Sequence, residues 1–183
     1  MPNSAKKIIA ALFILGTAAL CFTQTAWAQK GTYATLEQIL EQTFLESAPD
    51  AKTLWLPKEL KQEFHAELGF EPKGLRQRYW QSEARTLWIL EEIGKEYPIT
   101  FAYVIESNRI ISASVMEYQE SRGGEIRHSF FQRQFEDALL TQGKLDRNID
   151  GITGATLSVH AMTKMARQAL WLHAAVIRQD SNN

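Results

Sequence analysis

The stretch DGITGATLSVHAMTKMARQALWLHAAVI, residues 150–177, joins a glycine-containing loop directly to the most regular stripe of the chain. The stripe repeats every three or four residues, which is the period of an α-helix with one buried face. It consists of Val159, Met162, Ala166, Leu170, His173 and Ile177. The spacing predicts a long C-terminal helix that begins just after the loop.

Working outward, the pattern upstream of the loop has the period of a strand. Phe101, Tyr103 and Ile105 alternate with other residues, and residues 109–118 run back after a turn predicted at Ser107-Asn108. Alternation followed by a short turn and a second strand predicts a β-hairpin over residues 99–118. The compact apolar run at residues 86–90 fits a further buried strand.

Two segments flank this hairpin on its C-terminal side. Residues 119–125 form a polar loop with Gly123-Gly124, where the backbone can adopt conformations closed to other residues. Residues 128–139 place Phe131, Phe135 and Leu139 at four-residue intervals, which predicts a helix.

The segment N-terminal to these strands predicts two helices that cap the core. The first covers residues 35–46 and is ended by Pro49, and the second begins at Pro57 and stops at Gly69. The fold class is therefore α+β, a single domain with a small antiparallel sheet packed with helices. We divide the chain into residues 1–28, a signal peptide; residues 29–98, an N-terminal helical cap with the first strands; and residues 99–183, the functional core.

The first 28 residues have the features of a secretory signal. Lys6 and Lys7 precede an apolar run over residues 8–22, and Ala26-Trp27-Ala28 offers small residues at the two positions that a signal peptidase reads. This predicts export with cleavage after Ala28, or a membrane anchor if the signal is retained. Cys21 follows the bulky Leu20, which disfavours a lipoprotein.

Cleavage at that point removes the one cysteine and two of the twenty basic residues. The mature chain then has no disulfide and no thiolate chemistry, and its net charge is −3 because none of the twenty-one acidic residues is lost. No basic stripe favours nucleic acid, and no polybasic tail favours a membrane surface.

The loop before the last helix allows two interpretations. A helix N-terminus presents unpaired N–H groups and a partial positive charge, and is therefore a ready phosphate site. Gly154 and Ala155 keep bulk away from the hydroxyl of Thr156. On the same residues, an ordinary capped turn explains the Thr, Ser, Asp and Gly content.

A family resemblance favours the phosphate interpretation. The pattern Asp150-x-x-Thr153-Gly154-Ala155-Thr156 resembles the flavinylation motif of the FMN-binding domain family. This family includes flavin-bearing subunits of the sodium-pumping quinone reductase and of the ion-translocating ferredoxin reductase complexes. The resemblance implies that FMN is joined to Thr156 by a phosphodiester. It implies that a magnesium-dependent flavin transferase makes this bond from FAD and recognises the motif.

The resemblance extends over roughly residues 99–170, and it implies further cofactor contacts. Leu157 and Ser158 open the helix after Thr156, and the family's glutamate-containing loop corresponds to Glu120, Ser121, Arg122 and Gly123. The large reductase subunits have Glu-Thr-Pro-Gly in this loop. Here serine replaces threonine and arginine replaces proline, which looks more like the small stand-alone members and argues against a sodium-pumping complex.

Several side chains are compatible with either a cofactor contact or a structural position. Arg122 suits a phosphate or a flavin carbonyl, but a solvated loop arginine is equally compatible. Phe130 is a candidate for stacking on the flavin, whereas the spacing of Phe131 and Phe135 favours the core. The core is also the expected place of Trp55, Trp80, Trp88 and Trp171. The four histidines are scattered and predict no metal site, and no catalytic triad is recognisable.

Three functions remain, in order of preference. The first is a periplasmic electron carrier that has FMN on Thr156, with a flavin transferase and a membrane redox protein as partners. The second is an enzyme whose flavin reduces a small external substrate directly, although no catalytic acid or base is recognisable. The third is a binding module for a phosphorylated ligand. The oligomeric state, the electron donor and the acceptor are left open.

Overall fold

The computed structural model describes residues 31–45 and 47–181. Six strands of this part form one sheet, and their bounds are β1 Gly31–Thr32, β2 Ala51–Trp55, β3 Arg76–Ser82, β4 Arg85–Ile93, β5 Pro98–Glu106 and β6 Arg109–Tyr118. Their order is β1-β6-β5-β4-β3-β2, and every neighbouring pair is antiparallel.

The helices pack on this sheet. They are α1 Leu36–Thr43, α2 Lys58–Leu68, the short α3 Ser129–Gln132 and the 26-residue α4 Thr156–Ser181. Two 3₁₀ turns, Gly124–Arg127 and Arg133–Phe135, surround α3, and a small ribbon is formed by β7 Leu140–Thr141 and β8 Lys144–Leu145. The predicted α+β class and the long C-terminal helix are confirmed.

Both faces of the sheet are buried, each by different helices. In β5, Phe101, Tyr103 and Ile105 point to the face covered by α4, while Ala102 and Val104 point to the opposite face. This is the two-residue period of a strand. The Tyr103 hydroxyl donates to the Met162 carbonyl oxygen at 2.6 Å, which fixes α4 over the centre of the sheet.

The predicted hairpin is confirmed at both of its ends. Ile99 pairs with Tyr118, and Glu106 pairs with Arg109. Ser107 and Asn108 both have positive φ, 53° and 60°, as a two-residue turn between right-twisted strands requires.

The predicted helix over residues 128–139 is wrong. Only the four residues of α3 are α-helical, and after the following 3₁₀ turn Glu136 becomes extended while Asp137 has a φ of 60°. The cause lies in β6, because Asp137 donates to the Ile110 carbonyl and Ile110 donates to the Ala138 carbonyl. These long-range bonds replace the helical ladder, although Phe131 and Phe135 are buried as expected.

The N-terminal helices begin where the sequence places them, but they do not form one cap. Thr35 begins α1 with a capping box to Gln38, and Gly69 ends α2 in the left-handed conformation. Ile39 of α1 lies on one face of the sheet and Phe64 of α2 on the other.

Most predicted core tryptophans are buried. Trp80, Trp88 and Trp171 are 6 % exposed or less, whereas Trp55 is 62 % exposed, so that prediction is wrong for Trp55. Its strand β2 is at the edge of the sheet, and Leu54, its neighbour in the strand, is buried instead.

The predicted signal peptide, residues 1–28, lies outside the described residues. Among residues 31–45 and 47–181, no helix combines the length and the apolar character that a membrane span requires.

Candidate functional site

The loop before α4 delivers Thr156 to the surface. Gly154 has a φ of +84°, a conformation that glycine adopts without strain, and it turns the chain into the helix. Val159 donates to the Ala155 carbonyl as the first bond of the helical ladder, so Ala155 is at the N-cap position. An alanine side chain has no oxygen with which to cap the first-turn N–H groups.

The hydroxyl of Thr156 is available. Thr156 is exposed, and in residues 31–45 and 47–181 its side chain makes no hydrogen bond, nor do the side chains of Asp150 and Thr153. The capped-turn interpretation requires such bonds between loop side chains and the first turn of α4. The side chains of the loop are therefore free to contact something other than their own backbone.

The loop after β6 closes onto the first turn of α4. The Tyr118 hydroxyl donates to the Arg122 carbonyl, and Ser158 Oγ donates to the same hydroxyl at 3.0 Å. Burial raises the pKa of Tyr118, while the hydrogen bond from Ser158 opposes this rise. Tyr118 thus joins the hairpin loop to the helix that carries Thr156.

Gly123 allows the close approach at this junction. Its φ is +84°, and a Cβ placed on it would lie 2.9 Å from Tyr118 Oη, 3.0 Å from Ser158 Oγ and 3.2 Å from Ala155 Cα. A side chain at this position would push the loop away from α4. The expectation that the Gly123-Gly124 pair needs a special conformation is confirmed for Gly123.

Glu120 holds the neighbouring turn in place. Its Oε1 accepts the backbone N–H groups of Lys95, Glu96 and Tyr97 at 2.5, 2.7 and 3.0 Å. Desolvation raises the pKa of Glu120, but these three hydrogen bonds and the charge of Lys95 outweigh it, and the net pKa is lowered. The carboxylate is therefore ionised and its Oε1 is already engaged.

One cavity contains most of the predicted cofactor contacts. It measures about 520 Å³, and we call it the loop cavity; it is lined by Lys95, Glu120, Ser121, Arg122, Gly154, Ala155, Thr156, Leu157 and Ser158. The structure therefore brings together two segments that lie more than thirty residues apart in the chain.

Asp150 and Thr153 are not part of the loop cavity lining. Both are exposed, and the backbone N–H of Asp150 donates to Gln134 Oε1 at 2.7 Å, which holds the start of the loop. Arg122 is also exposed, and its carbonyl rather than its guanidinium takes part in the junction with Tyr118.

A second cavity meets the first at Thr156. It measures about 700 Å³, and we call it the basic cavity; it lies between the end of α2, the ribbon β7–β8, residues 147–151 and the first turns of α4. Its lining contains Lys144, Arg147, Lys164, Arg167 and His160 but no Asp or Glu. Thr156 is the single residue that lines both cavities.

Sequence reasoning missed the basic cavity and the turn at residues 94–97. The turn had a signal in the hairpin, because pairing of Ile99 with Tyr118 brings the residues before Ile99 close to those after Tyr118. The ribbon had a weaker signal in Gln142-Gly143, a dipeptide in which both residues have positive φ. Nothing local to Leu68 or Phe70 indicates that they line a cavity with α4.

His173 is buried in the core. It is 1 % exposed, its Nδ1 lies 2.8 Å from Thr86 Oγ1, and Trp88 Nε1 donates to that same oxygen. Burial lowers the pKa of His173 to about 4, so it is neutral and serves the core. Among the described residues, no group of three or more His, Cys, Asp or Glu side chains is placed to hold a metal ion.

Comparison with known proteins gives one match. Residues 94–171 match the model of the FMN-binding domain. The matched segment runs from the turn under Glu120 through the hairpin, the loop cavity and most of α4. No curated protein and no solved structure matches the chain.

Proposed function

Because residues 94–171 match the model of the FMN-binding domain, we propose that this chain is a flavoprotein that carries its FMN covalently on Thr156. We further propose that it is exported and relays electrons between a membrane redox partner and an extracytoplasmic acceptor. The observation that carries the proposal is the position of Thr156. Its hydroxyl is exposed and without a hydrogen bond among the described residues, at the start of a 26-residue helix and at the mouth of two cavities.

The residues around Thr156 fit a phosphodiester. The first turn of α4 offers N–H groups and the positive end of the helix dipole, and Ala155 leaves these groups uncapped. Arg122 also lines the loop cavity, and its guanidinium has no hydrogen bond or ion pair among the described residues. The first turn of α4 and Arg122 would offset the negative charge that a phosphodiester at Thr156 retains.

Attachment requires a transferase that reaches Thr156. A bond forms between Thr156 Oγ and the flavin-side phosphorus of FAD, while the bond to AMP breaks and the hydroxyl proton is lost. Asp150 and Thr153 are exposed beside Thr156, so a transferase can read their side chains without unfolding the loop.

The flavin supplies the redox chemistry, and the protein supplies its surroundings. The polar lining of the loop cavity, with Glu120 fixed by three amides, holds the walls of the cavity in a defined position. Export gives a reason for the covalent bond, because a cofactor that dissociates outside the cytoplasm is lost.

Covalent flavinylation is tested by coexpression of the chain with a flavin transferase. We expect a mass increase of one FMN less one water, together with a fluorescent band that survives denaturation. Thr156→Ala should abolish both signals completely. Thr163→Ala, which removes a threonine hydroxyl two turns further along α4, should retain them.

Circular dichroism of all three proteins ensures that a negative result is not a folding defect. Folded wild-type protein without flavin, beside a control substrate that the transferase does modify, would refute the covalent proposal. Reduction by membrane vesicles of known quinone content then tests the relay, and no change in flavin absorbance would refute it.

The basic cavity favours a second candidate function. A flavin on Thr156 borders a cavity large enough for a small molecule, which suits direct reduction of a substrate without a protein partner. Steady-state turnover with a soluble electron donor and no partner protein distinguishes this enzyme from the carrier.

A further inference from the structure

The basic cavity has an unusual charge balance for this protein. The chain has twenty basic and twenty-one acidic residues, yet four Lys or Arg side chains and a histidine line this cavity without a carboxylate. A cavity with walls of one charge sign focuses the electrostatic field and attracts the opposite sign.

Two of the four cations have acidic partners. Lys164 Nζ lies 2.5 Å from Glu92 Oε2, and Arg147 Nε lies 3.4 Å from Asp146 Oδ1. Desolvation raises the pKa of Glu92, but the hydrogen bonds from Lys164 and the Ile93 amide, with the charges of Lys164 and Lys73, outweigh it, so the net pKa is lowered and the carboxylate is charged. These pairs keep Lys164 and Arg147 in place without adding much net charge.

The other two cations have no acidic partner among the described residues. Arg167 donates to the carbonyl oxygens of Gly143 and Leu68, at 2.5 and 2.7 Å, and burial lowers its pKa. Its charge is therefore half-buried and met by neutral acceptors alone. Lys144 is exposed and has no hydrogen bond or ion pair within the part of the chain that the structure describes.

Arg167 also fixes the shape of the cavity. Its two bonds tie the end of α2 and the β7–β8 turn to α4, which are the three walls. Gly143 lies so close to α2 that a Cβ on it would be 1.9 Å from the Glu67 carbonyl oxygen. The cavity is thus held open by the fold itself.

Besides these basic residues and the polar Asn148, Thr156 and Thr163, the lining is apolar apart from its glycines. It includes Leu68, Phe70, Leu145, Ile149 and Val159. The ring of Phe70 packs edge-on against Phe64 and faces Lys164 Nζ at 4.8 Å from its centroid. Cations together with apolar walls suit an organic anion better than a bare inorganic ion.

From these observations we propose that the basic cavity binds a small organic anion, a carboxylate or phosphate ester with an apolar body, beside Thr156. Lys144 and Arg167 supply the uncompensated charge, and the wall of Leu68, Phe70 and Val159 receives the apolar body. The binding stands on the cavity alone, whereas its redox meaning rests on the proposed flavin at Thr156. On that proposal, the bound anion lies beside the attached flavin.

The test uses isophthalate, an aromatic dianion, and isophthalamide, its neutral analogue. Both are titrated into Thr156→Ala protein and into flavinylated protein, by calorimetry and by amide shifts in nuclear magnetic resonance spectra. We expect isophthalate to bind both proteins, with shifts in residues 144–149 and 156–167, and isophthalamide not to bind. Affinity should fall as ionic strength rises.

Variants assign the binding to this cavity. Lys144→Gln should weaken isophthalate about fivefold, because a charge-assisted contact of roughly 1 kcal/mol is lost. His160→Glu, at an exposed position of α4, introduces a carboxylate into the lining and should weaken binding more than tenfold. Lys95→Gln, in the loop cavity, is the matched control and should leave the affinity unchanged.

Three results would overturn the proposal: no saturable binding, equal effects of Lys144→Gln and Lys95→Gln, or binding that disappears when Thr156 is flavinylated. The last result assigns the basic cavity to the flavin itself. Failure of flavinylation with intact isophthalate binding to Thr156→Ala refutes the proposed function and not this site. Flavinylation without isophthalate binding refutes this site and not the proposed function.

Discussion

The two cavities that meet at Thr156 differ in the origin of their walls. Every residue that lines the loop cavity belongs to the segment that matches the FMN-binding domain, residues 94–171. The basic cavity adds Leu68, Gly69 and Phe70 from the end of α2, which lie outside that match. The proposed flavin attachment thus rests on the matched segment alone, whereas the proposed anion site also uses residues outside it.

The two cavities also differ in whether a carboxylate belongs to the lining. The lining of the loop cavity contains one carboxylate, Glu120, with the two basic residues Lys95 and Arg122, and Glu120 Oε1 accepts three backbone amides. In the basic cavity the carboxylates that balance Lys164 and Arg147 stand outside the lining. Hydrogen bonds hold the walls of both cavities, and in the basic cavity two cations, Lys144 and Arg167, have no carboxylate partner among the described residues.

The largest expected change in stability comes from a substitution that disrupts the packing around the basic cavity. Gly143→Ala places a Cβ 1.9 Å from the Glu67 carbonyl oxygen at a residue with a φ of +71°. Neither the backbone of α2 nor the ribbon can move without losing the bonds of Arg167. We expect a loss of about 4 kcal/mol in the free energy of unfolding, measured by urea denaturation.

Gly151→Ala is the matched control for that substitution. Gly151 also lines the basic cavity, but it is exposed, and a Cβ added to it would meet no described atom within 4 Å. Its unfolding free energy should change by less than about 0.5 kcal/mol. Equal stability of the two alanine variants would show that the ribbon does not pack on α2 as described.

The second largest expected change in stability comes from a substitution in the loop cavity. Glu120→Ala removes the acceptor of three backbone N–H groups, and we expect a loss of about 2 kcal/mol in unfolding free energy. Ser121→Ala, at the exposed neighbouring position, should cost less than about 0.5 kcal/mol. The flavin yield of Glu120→Ala should also fall, because the turn at Lys95 is part of the cavity wall.

The difference in unfolding free energy between wild type and Glu120→Ala should also depend on pH. The pKa of Glu120 is lowered in the folded protein, so its contribution to stability is fully present above the unfolded value, near 4.5. It is lost as the pH falls through the folded pKa. The gap between wild type and Glu120→Ala should therefore shrink below pH 4.5, and a gap that stays constant down to about pH 3 would contradict ionised Glu120 as the acceptor.

The contrast between the cavities also explains what the sequence could predict. The loop cavity depends on local patterns: the alternation of Phe101, Tyr103 and Ile105 predicts the hairpin, and the glycine loop precedes an amphipathic helix. These patterns place Glu120 and Thr156 on elements that meet. Their close approach further depends on Gly123, which the sequence marks as a position for a special backbone conformation.

The basic cavity could not be predicted in this way. Its walls come from residues 68–70, 144–151 and 156–167, and long-range hydrogen bonds of Arg167 bring them together. The error over residues 128–139 has the same cause. Four-residue spacing of Phe131 and Phe135 is satisfied there by short turns, because pairing with Ile110 of β6 prevents a continuous helix.

The smallest effect concerns the junction that positions Thr156. Tyr118→Phe removes the hydroxyl that bonds both the Arg122 carbonyl and Ser158 Oγ, and Ser158→Ala removes one of these partners. We expect each variant to lose about 1 kcal/mol in unfolding free energy. Because they share a hydrogen bond, the double variant should lose less than the sum, with a coupling energy of about 0.5 kcal/mol or more.

A coupling of zero in this double-mutant cycle would mean that the hairpin loop and α4 are independent. The loop cavity would then owe its shape to Glu120 and the turn at residues 94–97 rather than to the contact around Gly123. A measurable coupling, with reduced flavin yield in Tyr118→Phe and unchanged isophthalate affinity, would separate the two cavities energetically. The attachment side would then depend on the Tyr118 junction, while the anion side would depend on the Arg167 bonds, although both open at the same threonine.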